Sequence, residues 1–165
     1  MRNLRLFILG FSILFISLSC VTLMGGSKEN EETAVKPTRT SNLPVPKASG
    51  LITKVTMARG ATDDNFDPVD PTLEFDPSET IHAVVAVKKA PPKTNFRADW
   101  YITDVGDPKA VNFLINSTAT VQAGSGNLDF TLSPKKKFSP GLYRVELYIN
   151  DELDQLVEFK IVESQ

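Results

Sequence analysis

The sequence predicts an all-β fold: a single antiparallel β-sandwich of about seven strands, preceded by a signal peptide and a disordered stalk. Three observations carry this. From Leu51 onward, apolar residues alternate with polar ones at a period of two. Clusters of Gly, Pro, Asn, Asp and Ser interrupt the alternating runs at the places where turns are needed. No segment of this part holds the i, i+3, i+4, i+7 apolar spacing of an amphipathic helix beyond two turns.

The first element is a leader. Arg2 and Arg5 form a short basic region, and Leu6 to Leu18 is an apolar run broken by Gly10, Ser12 and Ser17. Ser19 and the chain's single cysteine, Cys20, follow. Charge, apolar core and small residues in that order are the layout of a signal peptide, assigned to residues 1–19. Ile16-Ser17-Leu18-Ser19-Cys20 resembles the lipobox of bacterial lipoproteins. The resemblance implies cleavage before Cys20, a diacylglycerol on the Cys20 thiol, and a fatty acyl group such as palmitate on the new amino terminus. It makes Cys20 the lipid-attachment residue and a membrane the first partner. Val21, standing where an Asp would direct retention, implies the outer membrane if the cell has one. Two other readings stay open: release by an ordinary signal peptidase at Ser17-x-Ser19, and an uncleaved anchor over Leu6 to Met24, at about 20 residues long enough to span a bilayer. All three place the rest of the chain outside the cytoplasm.

Residues 20–50 are assigned to the lipidated terminus and a flexible linker. Gly25 to Gly50 holds no aromatic residue and includes Pro37, Pro44 and Pro46 among many Ser, Thr, Lys and Glu. Such a stretch cannot bury enough apolar surface to offset its ordering entropy. As a random coil it would reach roughly 30 Å.

Residues 51–163 are assigned to the sandwich. The expected strands start at Leu51 (Leu51, Thr53, Val55, Met57 on one face), Ile81, Phe96, Val111, Leu128, Tyr143 and Leu153. The expected turns are Ala90-Pro91-Pro92, Gly106-Asp107-Pro108, Gly124-Ser125-Gly126-Asn127, Ser133-Pro134, Ser139-Pro140-Gly141 and Asn150-Asp151-Glu152, the last closing a hairpin. Ser139-Pro140-Gly141-Leu142-Tyr143-Arg144-Val145 and Trp100 resemble the tyrosine corner and core tryptophan of an immunoglobulin-like domain. The matching cysteines are absent, so the resemblance is to bacterial extracytoplasmic immunoglobulin-like domains. It implies a fold and no activity.

Charge narrows the function. Residues 51–165 carry 12 Lys+Arg against 17 Asp+Glu, net −5. An acidic domain lacks the basic footprint that phosphate binding needs, so nucleic acid is not an expected partner. His82, the one histidine, is expected on a strand surface with no triad around it. One His and one Cys do not make a Cys/His zinc set. The best metal candidate is a calcium-loop spacing of Asp63, Asn65, Asp67 and Glu74, at positions 1, 3, 5 and 12, but Pro68 stands where the sharp turn needs Gly. Asp-Pro loops also form without metal, so no metal and no cofactor is assigned. Lys135-Lys136-Lys137 is read as a solvated loop, with an anionic surface as the functional alternative. Asn116-Ser117-Thr118 matches a glycosylation acceptor, relevant only to a eukaryotic secretory route. Asp99, Asp104 and Asp107 beside Trp100 and Tyr101 could line a sugar-binding face. No catalytic residue is assigned, and an enzyme is not expected.

The expectation is therefore a non-catalytic, membrane-anchored extracytoplasmic binding or scaffolding module, meeting an envelope protein or polysaccharide. The alternative is an accessory or inhibitor subunit of an envelope enzyme, acting through a sheet edge or through exposed loops at Ala90 to Asn95 and Ala123 to Asn127.

Overall fold

A computed structural model of the chain describes residues 43–163. Cys20, the leader and the linker up to residue 42 lie outside the described residues. The described residues contain seven strands and no helix: β1 (Ile52–Ala61), β2 (Pro68–Pro71), β3 (Glu74–Phe75), β4 (Ile81–Asp104), β5 (Phe113–Leu132), β6 (Gly141–Ile149) and β7 (Glu152–Ile161). Their order is β2-β1-β4-β6-β7-β3, with β5 against β4.

Two layers arise because β4 and β5 are long and bend together. The first part of β4 pairs with β1 and with the end of β5, from Ile81 opposite Leu132 to Val87 opposite Gly126. Its second part pairs with β6 and with the start of β5, from Phe96 opposite Thr120 to Ile102 opposite Phe113. The crossing lies between Lys88 and Lys93. Register shifts flank Ala90, and Lys89 and Lys93 take left-handed φ of 56° and 66°. On the facing strand Gly124 and Gly126 have φ of 80° and 154°, a backbone region in which glycine is least strained.

This corrects the expected strand list. Ala90-Pro91-Pro92 and Gly124 to Asn127 are bulged crossings and not turns, so four expected strands merge into two. The count returns to seven through β2 and β3, which are short and carry no alternation of their own. The sheet is also not wholly antiparallel. β3 pairs in parallel with β7, Glu74 opposite Lys160 and Phe75 opposite Ile161. In β1 a register shift between Ile52 and Lys54 brings Ile52 onto the buried side with Met57, although their spacing is odd.

The expected hairpin is present. Asn150 and Asp151 link β6 to β7 with φ of 47° and 68°, the two positive values of a type I′ turn. A bulge near its end leaves Asp154 as the extra residue of β7 and turns its side chain inward, 2% exposed. Asp154 Oδ1 accepts the Ser49 amide at 2.6 Å, and the Lys47 amide donates to the Leu153 carbonyl at 2.9 Å. Contacts with the sandwich therefore begin a few residues before Leu51.

The core is aromatic at its centre. Phe159 stacks on Tyr143 at 5.7 Å and meets Phe75 and Trp100 edge-on at 5.8 and 5.9 Å. Tyr143 Oη donates to the Ser139 carbonyl at 2.7 Å, the tyrosine corner anticipated from the sequence. Val145, two residues on, is fully buried. The fold is all-β and immunoglobulin-like in these features.

Gly141 enters this corner at φ 151°, where an added Cβ would lie 2.3 Å from the Asp104 carbonyl oxygen. The obstacle is backbone, so it cannot swing aside. Gly141→Ala is expected to destabilise the domain by about 3 kcal/mol, read from a urea unfolding curve.

Candidate binding face

The outward positions of β4 and β6 lie opposite one another in register: Arg97 with Tyr148, Asp99 with Glu146, and Tyr101 with Arg144. These are the polar phase of the alternation in both strands. They nevertheless shield each other from solvent, leaving Asp99 7%, Arg144 4% and Glu146 2% exposed. Buried charge is tolerated only when paired and hydrogen-bonded, and here it is.

Arg144 Nε donates to Glu146 Oε1 at 2.7 Å and Nη1 to Asn112 Oδ1 at 2.8 Å. Tyr148 Oη donates to Glu146 Oε2 at 2.6 Å, so both oxygens of that carboxylate are used. Each guanidinium lies over a ring, Arg144 over Tyr101 and Arg97 over Tyr148, both at 4.3 Å. Arg97 Nη1 donates to Asp151 in the hairpin turn. Arg97 Nε is 3.2 Å from Asp99 Oδ2 but makes no hydrogen bond to it, so that contact is coulombic. Ser117 Oγ of β5 donates to Asp99 Oδ1 at 2.5 Å. The result is a flat strip of two arginines, two tyrosines and two acids. Arg97, Tyr101 and Tyr148 are half-buried and reach its surface.

Burial, reinforced by nearby acids at Tyr148 and Tyr101, holds the tyrosines in their neutral form. Burial first, and the hydrogen bond to Glu146 second, push the Tyr148 phenol far above its usual range. Burial raises Tyr101, with Glu146 adding to it, and burial raises Tyr143. All three therefore bind their proton more tightly when folded. Their contribution to stability is fully present below pH 10.0, the ordinary tyrosine value, and is lost as pH rises toward the folded values. The expected result is a native protein whose 295 nm phenolate absorbance stays flat past pH 10 and rises only with the loss of circular dichroism. Phenolate appearing in the folded state near pH 10 would contradict it.

The sequence-selected residues distribute unevenly around this strip. Asp99 and Tyr101 are on it. Trp100 is not: it is fully buried in the core and cannot stack on a ligand, because its neighbours on the strand take the opposite face. Asp104 Oδ1 accepts the Gly106 amide and Asp107 Oδ1 the Lys109 amide, each at 2.9 Å, as turn residues do. Arg97, Arg144, Glu146 and Tyr148 were not singled out from the sequence. Their polar phase was visible, but the cross-strand register that makes them one surface was not.

The calcium-loop residues do not converge. Asp67 Oδ1 and the Asn65 carbonyl both accept from Asn127 Nδ2 at 3.1 Å, while Glu74 lies on β3 beyond the β2 segment. Arg59 organises that region, with Nε on Glu79 at 3.0 Å, Nη1 on Asp70 at 3.2 Å and Nη2 on the Glu74 carbonyl at 2.9 Å. Among the described residues no group of three or more His, Cys, Asp or Glu side chains is placed to hold a metal. His82 has an acidic partner 47 positions away, Nδ1 lying 2.8 Å from Asp129 Oδ2, and no hydroxyl among the described residues hydrogen-bonds the ring. Lys135 to Lys137 are exposed beside Asp76, whose carboxyl is held below its usual value by hydrogen bonds from Ser78. The loops proposed at Ala90 to Asn95 and Ala123 to Asn127 are one place: Ala90 faces Gly124, and the Lys89 amide donates to Ser125 Oγ at 3.0 Å. Ala90 and Thr94 are buried, while Pro91, Pro92 and Lys93 are exposed.

No family profile and no curated protein sequence matches the chain. Among solved structures, it is similar to an immunoglobulin-like protein from Pseudomonas aeruginosa, with a TM-score of 0.42 and 12% identity over 66% of this chain and 92% of the other. It is also similar to part of the alkylpurine DNA glycosylase AlkC of Pseudomonas fluorescens, described bound to DNA with an abasic site analogue. There the TM-score is 0.37 and the identity 13%, over 67% of this chain and 30% of the glycosylase. No helix among the described residues is long and apolar enough to cross a membrane, and Leu6 to Met24 lies outside them.

Proposed function

We propose that the chain is a non-catalytic, membrane-anchored extracytoplasmic binding module, held by lipid on Cys20 and displaying its sandwich toward an envelope protein or polysaccharide. The observation that carries the binding reading is the Arg97–Tyr148–Glu146–Arg144–Tyr101 strip. Its side chains are locked by one another, so a ligand would meet a surface with little rotamer freedom left to lose. Tyr and Arg are also the residue types that dominate binding energy at protein surfaces. The same locking argues for recognition over turnover. The carboxylates are occupied by Arg144, Tyr148 and Ser117 and have no free role as acid or base.

The anchor and the surface are tested separately. Intact mass of protein extracted from its native membrane is expected to match a chain beginning at Cys20 plus acyl groups, with both features lost in Cys20→Ala. A chain beginning at Met1 would replace lipid with an anchor helix. For the surface, a photo-reactive side chain at Tyr101 is expected to capture an envelope component that the same group at Lys54, an exposed position of β1, does not. Equal capture at both, or turnover of an envelope polymer by the purified protein, would overturn the reading. The accessory or inhibitor alternative is favoured by the exposed corner at Pro91 to Lys93, where the two candidate loops meet. Capture of one enzyme from a probe at Lys93 would select it.

A further inference from the structure

The loop between β1 and β2 is clamped around one aromatic residue. Asn127 Nδ2 of β5 donates to the Asn65 carbonyl and to Asp67 Oδ1, both at 3.1 Å, one contact on each side of Phe66. Thr62 closes the loop from within: its carbonyl accepts the Phe66 amide at 3.1 Å and its Oγ1 the Asp67 amide at 2.9 Å. Phe66 is held at φ 52°, and every other non-glycine residue of positive φ among the described residues is Asp, Asn or Lys. A bulky side chain is an outlier in that region, and such strain persists only where the surroundings impose it. Here the clamp imposes it on a ring that stays 41% exposed. The ring lines a cavity of about 260 Å³ in the crook of the bent β5. Thr118 and Thr120 reach the cavity from one arm of that strand, and Asp129 and Thr131 from the other. The three threonines are exposed, and no group among the described residues takes their hydroxyls. Asp129 Oδ2 lies 2.8 Å from His82 Nδ1, while Oδ1 is buried with no partner among the described residues.

We propose that this cavity binds one neutral sugar ring, a hexopyranose, with its C–H face against Phe66 and its hydroxyls toward the threonines and Asp129. The lining selects the ligand. A ring face supplies apolar contact on one side, and hydroxyls that both donate and accept supply the other. A ligand that matches both is apolar on one face and a polyol at its rim. The volume lies near the lower end of small-molecule sites, about 300 Å³, which suits a single ring and not an extended chain. A buried carboxylate oxygen without a donor is costly, and a sugar hydroxyl is a donor. Charge excludes acidic sugars: Asp129 and the net −5 of residues 51–165 repel an anion. None of these residues belongs to the strip of Arg97, Tyr101, Arg144, Glu146 and Tyr148, so the site does not depend on what that strip binds.

The test is saturation-transfer NMR on the full chain in phosphocholine micelles, which carry no sugar headgroup, with empty micelles as the blank. The probes are the methyl glycosides of glucose, galactose and mannose, with methyl glucuronide as the anionic control. At least one neutral glycoside is expected to receive saturation, with a Kd of about 1 mM for one ring on one open aromatic face, and the glucuronide none. Phe66→Asn removes the ring and suits the left-handed backbone, so the loop keeps its shape. Thr118→Val with Thr131→Val keeps the shape of two exposed side chains and removes their hydroxyls. Each variant is expected to bind about tenfold more weakly or worse, with the circular dichroism of the wild type. The wild-type result needs no variant to fold. No transfer from any neutral glycoside up to about 50 mM, equal transfer from the glucuronide, or binding unchanged in either variant would each overturn the proposal.

Discussion

Phe159→Ala is expected to cost about 3–5 kcal/mol, a large share of the roughly 5–15 kcal/mol that holds a domain of this kind folded. Phe159 is 2% exposed and touches three other rings, Tyr143, Phe75 and Trp100, from three different strands. Its removal leaves a cavity between layers that cannot collapse without moving β3, β4 and β6 together. No disulfide shares the load among the described residues, since the one cysteine lies at position 20. Chemical unfolding monitored by Trp100 fluorescence would show the midpoint fall by the corresponding amount. Phe159→Leu retains most of the volume and is expected to lose well under half as much. Equal losses for the two would mean that ring packing is not what the site supplies.

Glu146→Ala is expected to cost about 3–5 kcal/mol for a different reason. The substitution opens a void at a buried site and also strips Arg144, whose side chain is 5% exposed, of its carboxylate partner. Tyr148 loses its acceptor at the same time. The penalty therefore adds orphaned charge to the lost packing. That predicts a specific non-additivity: Arg144→Met combined with Glu146→Leu should be more stable than Glu146→Ala alone, because it removes both charges together. A double variant as unstable as the sum of its singles would show the pair acting independently. Binding at the strip should be lost in the double variant while the fold persists, which separates the surface from the scaffold.

The class of the fold was legible because strand periodicity is local. The alternation from Ile81 and from Phe96, the turn residues at Asn150-Asp151, and Ser139-Pro140-Gly141 before Tyr143 each act within a few residues of the chain. They appear in the structure as strands, a type I′ hairpin and a tyrosine corner. Strand continuity was not legible, because Pro91, Pro92, Gly124 and Gly126 are turn residues by themselves. They become bulged crossings only because each faces the other across a ladder. β2 and β3 were missed for a related reason: Pro68 to Phe75 has no alternation of its own, and its pairing with β1 and β7 supplies what its sequence does not.

The candidate site divides the same way. Single residues were visible, among them Asp99, Tyr101, Asp63 and His82, and composition put an acidic surface on the domain. What joins Asp99 to Glu146, or His82 to Asp129, is register between strands tens of residues apart, set by where β4 bends. Local pattern was enough to read an all-β fold from Leu51 onward and an apolar run over Leu6 to Leu18, because alternation, turn chemistry and apolar runs are properties of neighbouring residues. Long-range pairing is what turns Trp100 inward and Asp99 and Tyr101 toward the strip, gives the acidic stretch its partners in Arg59 and Asn127, and leaves β5 with β4 as its one strand partner among the described residues. Those outcomes depend on long-range pairing, and pairing energy is paid out only when distant strands meet.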